Sequence, residues 1–118
     1  MRDFILNCVE YLELQKPVEL RVIAPANEAE FAAEYEPRFS DKGKLKKHII
    51  WVYLYRGETR LFETLVAHEL IHAWQQENEY EDIHGESFRI AASNMQYYLR
   101  EYCNIELPDI YDSEIDEN

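Results

Sequence analysis

Residues 59–77 read TRLFETLVAHELIHAWQQE, and this stretch decides how the chain folds. It contains neither glycine nor proline, and its apolar residues are so dense that a helix formed from it is apolar on almost every side. Such a helix has to lie at the centre of a fold. Burying an ionisable side chain is costly unless it is paired or coordinated, so the few that interrupt this stretch indicate a function.

Three of these ionisable residues, His68, Glu69 and His72, match the pattern His-Glu-x-x-His. Positions four apart on a helix differ by about 40° of rotation and about 6 Å of rise, so both imidazoles can bind one metal ion. Glu69 lies about 100° round from His68, where it can reach a water on that ion. We therefore predict a metal held by the two histidines, with Glu69 as catalytic base. The alternative is that the histidines bond to backbone or face a groove.

The third ligand has to come from elsewhere, because a catalytic zinc takes three protein ligands and leaves its fourth position open. We predict His84, which follows a polar loop and precedes Gly85, a residue that permits a sharp turn. Glu86 is the competing proposal. His48 stands beside two lysines at the start of a predicted strand, and we interpret it as a surface residue.

The rest of the chain predicts a small α+β fold. Hydrophobic periodicity, glycines and prolines predict an amphipathic helix over residues 1–15 and a strand with one buried face over 18–23. Between residues 25 and 37 we predict a turn and then a strand, and the alternative is a short helix capped by Asn27. A turn at 40–43, a buried strand over 48–55 and a helix after Gly85 follow. We expect a small antiparallel sheet packed on the central helix, with a further C-terminal helix. Residues 1–106 would form one domain, and residues 107–118 an acidic tail that is frayed or disordered.

Composition narrows the class of protein. No run approaches the roughly 20 apolar residues of a membrane span, and the first fifteen residues carry acids where a secretory signal is apolar. We therefore expect an intracellular, cytoplasmic protein without a membrane partner. Cys8 and Cys103 belong to no Cys-x-x-Cys pair, which favours two inert thiols.

The net charge of -12 disfavours nucleic-acid binding by the whole surface. One patch is basic despite this acidic net charge. We interpret it as a solvated hairpin tip, and it is also the only plausible contact for DNA phosphates. Its members are Arg38, Lys42, Lys44, Lys46 and Lys47.

The motifs resemble those of a known family. Residues 67–74, AHELIHAW, and residues 84–88, HGESF, look like the SprT-like metallopeptidase domain of the Spartan proteases, which joins H-E-x-x-H-A to a downstream H-G-x-x-F. The resemblance covers roughly residues 15–102 and implies a minimal zincin-like fold. It also implies zinc bound by His68, His72 and His84, with Glu69 as catalytic residue and Phe88 as the aromatic that fixes the third ligand.

For function, the resemblance implies hydrolysis of protein or peptide substrates, including proteins crosslinked to DNA. The chain departs from the pattern, since it shows no cysteine-rich zinc ribbon and no DNA-binding extension. We thus predict a zinc-dependent metallopeptidase. The alternatives are a non-catalytic, zinc-stabilised binding or regulatory module and a hydrolase of non-peptide amides. Tyr80, Tyr97 and Tyr98 are candidates for stabilising the oxyanion.

Overall fold

A computed structural model of the protein describes residues 2–25 and 30–116. The elements run in the order α1 (Arg2–Leu12), β1 (Val18–Ile23), β2 (Ala33–Phe39), β3 (Leu45–Tyr53), α2 (Phe62–Glu77) and α3 (Glu86–Tyr102). The α+β class is thereby confirmed, as are the predicted helices. Of the two readings between residues 25 and 37, the strand is right from Ala33 onward. Asn27 lies outside the described residues.

The sheet is mixed, so the prediction of an antiparallel sheet was wrong. Its strand order is β1-β3-β2, with β3 in the centre. β2 and β3 form an antiparallel hairpin, whereas β1 runs parallel to β3, with Val18 opposite His48. The physical reason is that strand direction alternates along the chain, but β1 pairs with β3 instead of with β2. Two strands of the same direction therefore become neighbours.

α2 is the centre of the fold, as its composition predicts. Every residue from Thr64 to Ala73 is buried, and the helix packs against β2, β3, α1 and α3. β1 lies beyond the strands that α2 covers, and none of its residues is fully buried. Val18 and Leu20 on the predicted face are half-buried and pack against the core, but Val22 is exposed, so the predicted buried face is confirmed only in part. Among the described residues, no helix combines the length and apolar character needed to cross a membrane.

The basic patch lies along the β2–β3 hairpin, and its location at the hairpin tip is confirmed. Lys42 and Lys44 are exposed in the turn. Lys47 pairs with Glu19 on β1, 2.8 Å from Nζ to Oε1, and Arg38 pairs with Glu36. Acidic neighbours thus offset part of the patch's charge.

Residues 107–116, here called the C-terminal segment, fold back onto the domain. The expectation of a disordered tail was wrong for these residues, and residues 117–118 lie outside the description. Leu107, Ile110 and Ile115 are at most 2% exposed. The Ile115 carbonyl accepts hydrogen bonds from the backbone N–H groups of Ala32 (2.9 Å) and Ala33 (3.2 Å). Burial of three apolar side chains outweighs the solvation of the acidic residues between them.

Candidate metal centre

Three histidines converge beneath the C-terminal segment. The Nε2 atom of His84 lies 3.1 Å from that of His68 and 3.2 Å from that of His72. Donors around a tetrahedral zinc, with bonds of about 2.0–2.1 Å, are separated by about 3.3 Å. The spacing therefore fits three ligands of one ion.

The tautomers of two histidines are fixed by acceptors behind them. His68 donates from Nδ1 to the carbonyl of Ile110 at 2.6 Å, and His72 donates from Nδ1 to Oε1 of Gln75 at 2.9 Å. In the neutral imidazole the other nitrogen then carries a lone pair. Two lone pairs therefore point towards the same place in a buried site, an arrangement that a cation stabilises.

Asp116 is the fourth member of the group, and the sequence analysis missed it. Its carboxylate oxygens lie 3.1 Å from Nε2 of His68, 2.9 Å from that of His72 and 2.9 Å from that of His84. Together these four side chains form a group that could hold a metal ion. The only sequence signal for Asp116 was the apolar residue before it, Ile115, which is fully buried.

Glu69 lies in the same buried region and differs from every other acid there. It is 0% exposed, and neither carboxylate oxygen has a hydrogen-bond partner among the described residues. Burial first, and then the charge of Asp116, raise the pKa of Glu69 well above its ordinary value. Burial would also raise the pKa of Asp116, but its contacts with the imidazoles of His68 and His72 lower it strongly instead. Two neighbouring carboxyl groups therefore have pKa values shifted in opposite directions, with Glu69 favouring the protonated form and Asp116 the ionised form.

The loop before α3 is built to position His84. Gly85 is required there, because a Cβ at this position would lie 2.8 Å from Cβ of Asp82 and 2.9 Å from its carbonyl oxygen. Asp82 accepts a hydrogen bond from the backbone N–H of Ser87 (2.7 Å) and so caps α3. Ser87 in turn accepts one from Nε2 of Gln75 at 3.0 Å. Gln75 therefore links the ring of His72 to the start of α3.

Phe88 lies under all three imidazoles, where the resemblance placed it. It is fully buried, and its ring centroid lies 4.6 Å from that of His68, 4.7 Å from His72 and 5.2 Å from His84. Glu86, the rival third ligand, is exposed and does not belong to the group.

His48 is buried, so its interpretation as a surface residue was wrong. It is 0% exposed, with Nδ1 2.7 Å from the Tyr35 hydroxyl and Nε2 2.6 Å from Oε2 of Glu77. Glu77 also accepts hydrogen bonds from the backbone N–H groups of Gln15 (2.8 Å) and Lys16 (3.0 Å). This second cluster, Tyr35–His48–Glu77, joins the sheet to the end of α2.

A cleft of about 320 Å³ opens beside the histidines. Its walls are β2, the end of α2 and the following loop, and its lining includes His72 and Asp116. β2 is an edge strand. Of the three tyrosines considered for the oxyanion, Tyr80 lines this cleft, whereas Tyr98 stacks on Tyr11 with ring centroids 4.4 Å apart.

Comparison of the chain with protein-family models, with curated protein sequences and with solved structures gives no significant match. The resemblance to SprT-like domains therefore stays a prediction, and the case for a function depends on the geometry of the site.

Proposed function

We propose that the protein is a zinc-dependent metallopeptidase. The observation that carries the proposal is the convergence of three histidine Nε2 atoms, two of them in a fixed tautomer, next to a buried carboxylate without a partner. Glu69 follows His68 directly on α2 and has no structural need to be acidic. A peptidase needs a proton acceptor there.

His68, His72 and His84 would hold the metal. When bound, zinc would lower the pKa of a coordinated water to about 7 and polarise the substrate carbonyl. Glu69 would accept a proton from that water and pass it to the nitrogen of the leaving amine. Burial raises the pKa of Glu69, which makes its ionised form a stronger base, and a cation bound beside it would favour that ionised form.

The cleft favours an extended peptide as substrate. An edge strand offers backbone N–H and C=O groups, which pair with a peptide with little regard to its sequence. β2 is such a strand, and Glu34 and Tyr35 from it line the cleft together with His72. DNA-associated proteins enter the proposal through the resemblance alone.

Asp116 favours a second candidate, the non-catalytic module. Three histidines and a carboxylate would complete four-coordinate zinc, and a site with four protein ligands is typical of structural zinc. In that case the metal would connect α2, the loop before α3 and the C-terminal segment, and no substrate would be cleaved.

Zinc content and cleavage of an unfolded protein separate these candidates. Four chains are compared, each with and without single-stranded DNA: the natural chain, Glu69→Gln, His84→Ala and, as a control, Glu86→Gln, which changes an exposed acid in the same way. We expect Glu69→Gln to keep zinc and lose about 100-fold or more in kcat. His84→Ala should lose zinc, and the control should keep both properties.

An active Glu69→Gln protein would remove Glu69 from its role. Stimulation by DNA would support DNA-associated substrates, and indifference to DNA would favour general proteolysis.

A further inference from the structure

The C-terminal segment reaches the metal centre through contacts of two kinds. Its first part supports the site: the Ile110 carbonyl orients His68, and the Tyr111 hydroxyl donates to the His84 carbonyl at 2.7 Å. Its last part lies on top of the site. The carboxylate of Asp116 lies 2.9–3.1 Å from each of the three Nε2 atoms, and Ile115 pairs with the backbone at the start of β2.

The contacts of Asp116 and Ile115 occupy two positions that a substrate needs. The fourth coordination position has to be free for the water that attacks, and a carboxylate among the three imidazoles fills it. An extended peptide would pair with the outer edge of β2. The Ile115 carbonyl already occupies the N–H groups of Ala32 and Ala33, where that strand begins.

We propose that the end of the C-terminal segment is an intramolecular inhibitor, in which Asp116 is the fourth metal ligand and residues 115–116 mimic a bound peptide. The inference deepens the proposed peptidase function and rests on it. An extended peptide and the chain's own last described residues compete for one site. Cleavage by the natural chain is then the residual rate of the fraction in which residues 115–116 are displaced.

Residues 113–116 can move away from the site while Asp112 stays in place. Asp112 is held by Arg60, 2.9 Å from Nε to Oδ2, and its N–H donates to the carbonyl of Asp109 at 3.1 Å. Beyond it Ser113 and Glu114 are exposed. Displacement of residues 113–116 would therefore uncover the metal and leave in place Ile110, which orients His68.

The test uses cobalt-substituted protein and acetohydroxamate, a small chelator that needs an open coordination position. Asp116→Asn, which nearly keeps the shape of the side chain, and Asp116→Ala are compared with the natural chain. Glu114→Gln is the matched control, since it removes the same charge from an exposed position in the same segment. The readouts are the visible absorption spectrum, the Kd of acetohydroxamate and the rate of peptide cleavage by the zinc forms.

We expect both Asp116 variants to change the cobalt spectrum, to bind acetohydroxamate at least about tenfold more tightly and to cleave peptide at least about tenfold faster. The control should match the natural chain. An unchanged spectrum and an unchanged Kd in Asp116→Asn would overturn the inference, whatever the rates are. A changed spectrum and tighter binding, with no cleavage by any chain, would uphold Asp116 as the blocking ligand while the peptidase proposal fails.

Discussion

The described residues include two buried histidine clusters, and these differ in which ring nitrogen faces a hydrogen-bond acceptor. In the Tyr35–His48–Glu77 cluster each ring nitrogen of His48 has a partner of a different kind, a hydroxyl at 2.7 Å and a carboxylate at 2.6 Å. In the metal centre the Nδ1 atoms of His68 and His72 donate to uncharged oxygens, and their Nε2 atoms lie beside that of His84 and the carboxylate oxygens of Asp116.

The difference teaches how to distinguish a structural histidine from a ligand. A carboxylate can only accept at neutral pH, so Glu77 accepts a hydrogen bond from Nε2–H of His48, and Nδ1 accepts one from the Tyr35 hydroxyl. Burial, and then the charge of Glu77, raise the pKa of Tyr35, so its hydroxyl keeps the proton that it donates. That cluster is complete. In the metal centre, acceptors hold the Nδ1 protons of His68 and His72, so in neutral rings the Nε2 atoms face Asp116 with lone pairs, an arrangement that a metal ion would stabilise.

The largest expected effect is the loss of stabilisation by zinc in His84→Ala. At a free zinc concentration about a thousand times Kd, binding stabilises the natural protein by about 4 kcal/mol. For a domain of this size that raises the Tm by roughly 10–20 °C. Since His84 would be the third ligand in the proposed site, its alanine variant should retain little of this shift. Thermal unfolding with zinc and with a chelator measures it.

His48→Gln is the counterpart, because it changes the complete cluster and leaves the metal centre intact. Its Tm should be low both with and without zinc, but the difference between the two should equal that of the natural protein. A normal zinc shift in His84→Ala would mean that the metal binds elsewhere.

The next largest effect is expected from Glu77→Ala. Removing the charged acceptor of a buried hydrogen bond costs about 1–3 kcal/mol, and here the N–H groups of Gln15 and Lys16 lose their acceptor as well. Chemical denaturation of the chelator-treated protein gives the free energy of unfolding. Glu81→Ala, an exposed position in the next loop, should change it by less than about 0.5 kcal/mol. A loss no larger than this control in Glu77→Ala would show that the cluster contributes nothing to stability.

The features of the fold and the site that the sequence predicts are mainly those set by residues close to one another in the chain. His68, Glu69 and His72 follow from helix geometry within one turn, and Gly85 indicates the loop that returns His84 to them. His48 should also have been predicted inside, because it shares a strand face with Ile50 and Val52, both buried. The two lysines before it suggested a surface position, and this local composition concealed the alternation of the strand.

Asp116 was beyond prediction for a different reason. No periodicity relates it to His72, and its segment is acidic enough to resemble a disordered tail. What fixes it is the burial of Ile110 and Ile115 together with attraction to three imidazoles, which exists only once α2 and α3 have packed. Nor did the sequence reveal that Gln75 links the two helices. Contacts of this kind need the coordinates of both partners.

A smaller effect, of opposite sign in the two clusters, is expected from the substitution of glutamine for glutamate. Glu69→Gln should stabilise the metal-free protein by about 1 kcal/mol at neutral pH, because burial raises the pKa of Glu69, so that folding has to protonate the group, a cost that a neutral amide does not have. Glu77→Gln should destabilise it, because the imidazole of His48 then loses a charged acceptor. Unfolding in denaturant with a chelator present compares the two. A loss of stability in Glu69→Gln would indicate that Glu69 has a partner in solution.

The smallest expected effect is the contribution of Glu77 to the pH dependence of the free energy of unfolding. Burial opposes its ionisation, but hydrogen bonds from His48, Gln15 and Lys16 lower the pKa of Glu77 below its ordinary value. An unfolded glutamate has a pKa of about 4.3. Below that pH the unfolded chain binds a proton that the folded chain refuses, so this stabilisation is present above about pH 4.3 and is lost as the pH falls through the folded value.

The measurement is the free energy of unfolding of the metal-free protein between about pH 6 and pH 3.5, for the natural chain and for Glu77→Gln. Other acids titrate in both proteins, and their contributions cancel in the difference. That difference should shrink as the pH falls, because the substitution removes a group that is already losing its charge in the natural chain. A constant difference over the whole range would mean that Glu77 stabilises the protein through packing alone. The hydrogen bonds that its carboxylate accepts from His48, Gln15 and Lys16 would then contribute no stability.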